Sequence, residues 1–171
     1  MTLTERTSRE LTQMGLATEV LSRFGEMRFI AQGGSMVPAI YPGDQVTVCS
    51  TSVSNVRAGE IVLCAREGRF WLHRLTRTQR EGGVAGFFTQ GDALPAEDRC
   101  FAAHELVGRV VSVVRHGRDL PQPNHATSFA SRISRWATRH IPVFADTLLR
   151  LHAWRWRASA RQTVDSLQDC P

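Results

Sequence analysis

The apolar residues Leu11, Met14, Ala17, Val20, Leu21 and Phe24 recur at three- and four-residue spacing, which predicts a helix from about Arg9 to Phe24. Gly25 is its expected stop. Beyond it the period changes. "MRFIA" (27–31) reads as a strand, and "QVTVCS" (45–50) alternates apolar and polar positions after a Pro42-Gly43-Asp44 turn. "GEIVLCAR" and "RFWLHRLTR" flank Glu67-Gly68 and predict a hairpin. "GVAGFFTQ" (83–90) and "ELVGRVVSVVR" (105–115) complete the set. Short strands separated by turn signals predict a mainly β domain.

The pattern then changes again. "HGRDLPQPNHATS" (116–128) is rich in proline and polar residues and reads as a linker. Two helices are expected after it. One runs from about Ser128 to Arg139 with Phe129, Ile133, Trp136 and Ala137 on one face. The other runs from about Val143 to Arg161 with Phe144, Leu148, Leu151, Trp154 and Ala158 on one face, and Pro142 separates the two. The expected division is a helix over 1–26, a β domain over 27–115, a linker over 116–128 and an arginine-rich helical extension over 129–171.

Composition sharpens this outline. The chain has 171 residues, 42% of them hydrophobic, enough for one domain with a core of its own. All 21 basic residues are arginine. With no lysine there is no amine base and no Schiff base, and arginine cannot replace either because it stays protonated. The net charge of +5 is uneven: nine arginines face Asp119 and Asp146 between Arg115 and Arg161. The basic character therefore belongs to the C-terminal third and points to an anionic partner for that part.

Cys49, Cys64, Cys100 and Cys170 include no C-x-x-C pair, which argues against a zinc site or redox pair. Cys49 and Cys64 lie in apolar strand-like runs and read as small core residues. The N-terminus is polar and of mixed charge, unlike a signal peptide, and no run of about 18 apolar residues could span a bilayer. A cytoplasmic or peripherally membrane-associated protein is expected.

Candidate chemistry falls at strand ends and turns. Ser35 follows the first strand in "GGSMVPAIYPGD", His73 lies within the alternation of "FWLHRL", and Asp92 and Asp98 sit in "QGDALPAED". A serine hydroxyl needs an adjacent base to become a nucleophile, and a histidine can serve as that base. A carboxylate on the far imidazole nitrogen fixes the tautomer, and glycines beside the serine let backbone N–H groups approach an oxyanion.

Order and spacing carry a resemblance. "GGSMVPAIYPGD", "RAGEIVLCAREGRFWLHRLTR", "TQGDALPAED" and "LVGRVV" occur in that order between about residues 27 and 115. Together they resemble the signal peptidase I-like serine endopeptidases (S24/S26 superfamily), which include the LexA-like repressor peptidases. The resemblance implies a β-rich peptidase domain that needs no metal or cofactor. One branch uses a Ser-Lys pair. His73-Arg74 in a chain without lysine resembles instead the Ser-His branch of endoplasmic-reticulum and archaeal type. Carried over by position, Ser35 is the nucleophile, His73 the general base and Asp98 the orienting carboxylate. Gly34, Met36, Arg74 and Asp92 support them. Glu60 stands where that family usually has aspartate, Ala93-Leu94 replace two asparagines, and Gly33 replaces a hydroxyl residue that some members use in the oxyanion hole. The usual membrane anchor is replaced by an amphipathic helix.

Each residue also has a plainer reading. Ser35 alone is a loop serine, His73 alone a satisfied core histidine, Asp98 a turn cap, and Asp92 a Gly-Asp turn residue. The remaining histidines are assigned solvation or packing. Three readings apply to the C-terminal helices: packing on the β domain, seating on an anionic membrane surface through Trp136, Trp154 and Trp156, and nucleic-acid binding, which has charge alone behind it. The expected function is cleavage of a leader or signal-type peptide after small residues, an Ala-x-Ala-like pattern. The alternatives are an inactive member that binds a peptide or a membrane, and a regulator that cleaves itself, for which Ala85-Gly86 offers a bond.

Overall fold

The structure is a computed structural model and describes residues 15–81, 84–120 and 147–152. Helix α1 covers 15–24 within this range, and the expected start near Arg9 lies outside it. Gly25 ends the helix in the left-handed region, φ 75°, with its N–H donating to Leu21 O at 2.9 Å. Leu21 is buried at the core, but Phe24 is 71% exposed. The inward stripe is therefore narrower than the apolar spacing implied.

Eight strands form one curled sheet: β1 (Glu26–Ile30), β2 (Gln45–Ser50), β3 (Ile61–Arg66), β4 (Arg69–Glu81), β5 (Val84–Gln90), β6 (Phe101–Ala102), β7 (Leu106–Arg115) and β8 (Arg118–Asp119). The spatial order is β1-β2-β7-β3-β4-β5-β6, all pairs antiparallel, with β8 folded back on β7. β8 thus forms within the stretch expected to open the linker. β1 stands at one end, so its outer edge has no strand partner among the described residues.

β3 explains how so small a sheet encloses two cores. Ile61 and Leu63 point into one cluster with Leu21, Met36, Ile40, Val46, Val48, Val110 and Val113. Val62 and Cys64 point to the opposite face, into a second cluster with Val56, Leu75, Phe87, Phe101 and Leu106. A strand buried on both faces needs a continuous apolar run, and "IVLC" supplies it. Phe87 and Phe101 stack with centroids 5.4 Å apart and fix the short β6 to β5.

Of the expected C-terminal helices, the first and most of the second lie outside the described residues. Residues 147–152 form α2. No described helix is long and apolar enough to cross a membrane.

Candidate active site

The turn between β1 and β2 carries Ser35. It is tied down at both ends. Ala31 N–H donates to Asp44 O at 2.8 Å, and Gly43 N–H donates to Ala31 O at 3.0 Å. The Val37–Pro38 peptide is cis. Met36, Val37 and Ile40 point inward and are buried, so the apolar half of the turn is held by the first core. Met36 is 3% exposed and is a floor beneath the turn.

Asp44 closes the turn electrostatically. It is 1% exposed and accepts from Tyr41 N–H at 2.8 Å and from two Arg115 nitrogens at 2.8 and 2.7 Å. A buried carboxylate needs such partners, and a bidentate guanidinium supplies them. The pairing spans 71 residues and locks the turn to β7.

The loop after β5 grips the same turn from the other side. Ala93 N–H donates to Ser35 O at 2.9 Å. Gly91 permits this approach: a Cβ there would stand 2.7 Å from Ser35 O. Ala93 and Leu94 replace the family's asparagines, yet the loop closes, with Leu94 N–H donating to Gly91 O and Gln90 Nε2 to Leu94 O, both at 3.0 Å.

His73 and Arg74 are neighbours on β4 and point to opposite faces. Arg74 faces the first core's side and forms two bonds to Asp92, at 2.8 and 2.7 Å, and one to Gly59 O at 2.6 Å. Asp92 is 1% exposed, and its partner is this arginine. The pair braces the loop that holds Ser35 O.

His73 faces the other way and is 2% exposed. Its Nε2 lies 3.1 Å from Ser35 Oγ, and its Nδ1 lies 2.6 Å from Asp98 Oδ2. Carboxylate acceptance at Nδ1 places the proton there and leaves Nε2 free to accept from Ser35. The structure thus brings Ser35, His73 and Asp98 into one hydrogen-bonded line. Asp92 stands apart from that line, paired with Arg74.

Thr89 and Trp71 also belong to this site and were not singled out in the sequence. Thr89 is fully buried and donates from Oγ1 to Asp98 Oδ2 at 2.6 Å, while Asp98 N–H donates to Thr89 O at 2.8 Å. Burial alone would raise the Asp98 pKa, but hydrogen bonds from His73 and Thr89 and the charge of Arg66 outweigh it. The carboxyl is held below its ordinary range. Trp71 sets its ring edge-on to His73 at 5.9 Å and remains 38% exposed, forming the outer wall over the imidazole.

Cys64 lies in the second core. Burial pushes its thiol pKa up, with the charges of Asp98 and Glu105 adding to the effect and Arg66 opposing it. It stays a thiol and is no competitor to Ser35 as a nucleophile. Cys49 is partly buried and Cys100 exposed. Among the described residues no cluster of three His, Cys, Asp or Glu side chains could hold a metal ion.

A curled antiparallel sheet that aligns a serine, a histidine and a carboxylate defines a class of β-rich hydrolase-like domains. The chain belongs to the Peptidase S24-like family, whose model matches residues 12–111. That range holds every residue of the line and ends before Arg115 and α2. The family places the chain among peptidase-type proteins. A search among curated proteins finds no match.

Proposed function

We propose that the protein is a serine endopeptidase in which Ser35 is the nucleophile, His73 the general base and acid, and Asp98 the group that orients His73. The observation that carries this reading is the unbroken line of 3.1 and 2.6 Å contacts on a buried imidazole. His73 followed by Arg74, in a chain without lysine, favours the Ser-His branch over the Ser-Lys branch.

The chemistry balances with these groups alone. Ser35 Oγ attacks the scissile carbonyl carbon as its proton passes to His73 Nε2. The Ser35 N–H stabilises the oxyanion. The C–N bond breaks, His73 gives the proton to the leaving amine, and an ester to Ser35 remains. Water attacks that ester as His73 takes one of its protons. The acid product leaves and the proton returns to Ser35 Oγ. Asp98 supports the transient imidazolium throughout.

The outer edge of β1, which has no strand partner among the described residues, leads into the Ser35 turn, so a peptide bound as an added strand would run toward the nucleophile. The substrate on this reading is a leader or signal-type peptide cut after small residues.

The test is a diverse peptide library incubated with wild type and with Ser35→Ala, with and without anionic vesicles, and read by mass spectrometry. Cuts made only by wild type are expected. A vesicle requirement would assign the arginine-rich C-terminal segment to a membrane surface. Identical profiles from two folded proteins would make the domain a peptide-binding module instead.

A further inference from the structure

We infer that Leu149, carried on α2, limits the size of the substrate side chain admitted beside the nucleophile. The inference rests on the proteolysis proposed above and assigns its selectivity to a segment outside the matched family region, which ends at residue 111.

Leu149 lies against the residue that precedes the nucleophile. A Cβ placed on Gly34 would stand 2.9 Å from Leu149 Cδ1 and 3.3 Å from Cδ2. The leucine thus fills the space that a side chain at position 34 would otherwise take. It is itself only partly buried.

α2 is fastened next to this contact. His152 Nε2–H donates to Pro42 O at 3.1 Å, and its ring lies 4.6 Å from Tyr41 and 5.8 Å from His116. Tyr41 is in turn held by Asp44 through its N–H at 2.8 Å. Leu149 and His152 are three residues apart and share a helix face. The wall is therefore anchored to the same Ser35 turn that it covers, and its position follows the nucleophile.

A strand added to the outer edge of β1 must pass residues 32–34 before its scissile carbonyl reaches Ser35 Oγ. Alternate side chains of such a strand point to the same side. The one that faces Gly34 meets the Leu149 methyl groups. An alanine side chain fits beside them, and a branched or longer one needs Leu149 to move.

The test uses the full-length protein. A peptide cut by wild type is remade with alanine or leucine at each of the three positions before the scissile bond. kcat/KM is then measured for wild type, Leu149→Ala and Leu149→Phe, with thermal unfolding to verify that each is folded. At one position the leucine-to-alanine ratio should rise about tenfold in Leu149→Ala, the order that small changes in an apolar pocket produce. It should fall below wild type in Leu149→Phe. A purely structural role would change both peptides equally and leave the ratio fixed. Ser35-dependent cleavage with the same ratio in all three proteins would overturn this inference and leave the proposed function standing. Absence of any Ser35-dependent cleavage would overturn both.

Discussion

At the scale of single residues, one oxygen carries most of the site's organisation. Asp98 Oδ2 receives both the His73 ring N–H and the Thr89 hydroxyl, each at 2.6 Å. Both donors favour the ionised carboxylate. In Asp98→Asn that oxygen position becomes either a neutral acceptor or an NH2 group, which would clash with both donors. His73 would then lose its fixed tautomer. Ser35-dependent cleavage should fall on the order of 10²- to 10⁴-fold in kcat, with KM little changed. Steady-state kinetics on one library-derived peptide checks this, and a KM effect with unchanged kcat would move Asp98 out of the proposed role. Ser35, His73 and Asp98 could be picked out in the sequence because motif order constrained them. Thr89 could not, because a buried threonine in "FFTQ" has the same pattern as any strand former. Asp44 was visible only as half of a Gly-Asp turn. Its partner Arg115 lies 71 residues away, and no local pattern encodes that distance.

At the scale of elements, the sheet does more than hold the site's residues apart. β4 was expected to end near Arg77 and instead continues to Glu81, because its second half pairs with β5. A register shift lies between Leu75 and Arg77, leaving Thr76 as the extra residue. Thr76 and Arg77 bind the Glu97 carboxylate, so the bulge holds the residue next to Asp98. An alternation count reads through such a bulge, and a two-residue strand such as β6 is too short to show any period. The loop from Gly91 to Leu94 is a more direct constraint, since it holds the Ser35 carbonyl. Gly91→Ala puts a methyl carbon 2.7 Å from that carbonyl oxygen and 2.9 Å from the Leu94 side chain, so the Ser35 backbone or the loop must give way. Overpacking of this kind costs about 1–3 kcal/mol. The melting temperature should drop accordingly, and cleavage should drop further than stability because the displaced atom belongs to the nucleophile's own backbone. Chemical denaturation and kinetics on the same preparation separate the two effects. Unchanged activity in a destabilised Gly91→Ala would show that the turn tolerates the shift.

At the scale of the whole molecule, three carboxylates with lowered pKa values, Glu97, Asp98 and Glu105, collect at one end. Glu105 accepts twice from Arg66, at 2.6 Å each, and this bonding, with burial opposing it, holds its pKa down. Arg66 also lies 3.9 Å over the Phe101 ring and donates to Cys100 O. Glu97 is held down chiefly by the Thr76 hydroxyl, with Arg77 adding to it. Asp98 is held down by His73 and Thr89 against the effect of burial. All three therefore join the β3-β4-β5-β6 side of the sheet to its loops as carboxylates. Their pKa values are lower in the folded than in the unfolded chain, where Asp and Glu titrate near 3.9 and 4.3. Each contributes stability that is present in full above about pH 5 and is lost as pH falls through the folded value. Thermal unfolding should therefore show a flat melting temperature on stepping down from pH 7 to about 5, then a steep fall below about 4. Glu97 is partly exposed and its share is reduced by solvent, so the fall should belong mainly to Asp98 and Glu105. Glu105→Gln should lower the melting temperature at pH 7 and make the profile shallower below pH 4, because the variant has one fewer depressed carboxylate to protonate. A variant profile parallel to that of wild type would locate the acid sensitivity elsewhere in the molecule. Hydrogen exchange followed across the same pH steps gives the spatial form of the argument: β5 and β6 should lose protection before β2 and β7, whose apolar core involves none of these three carboxylates.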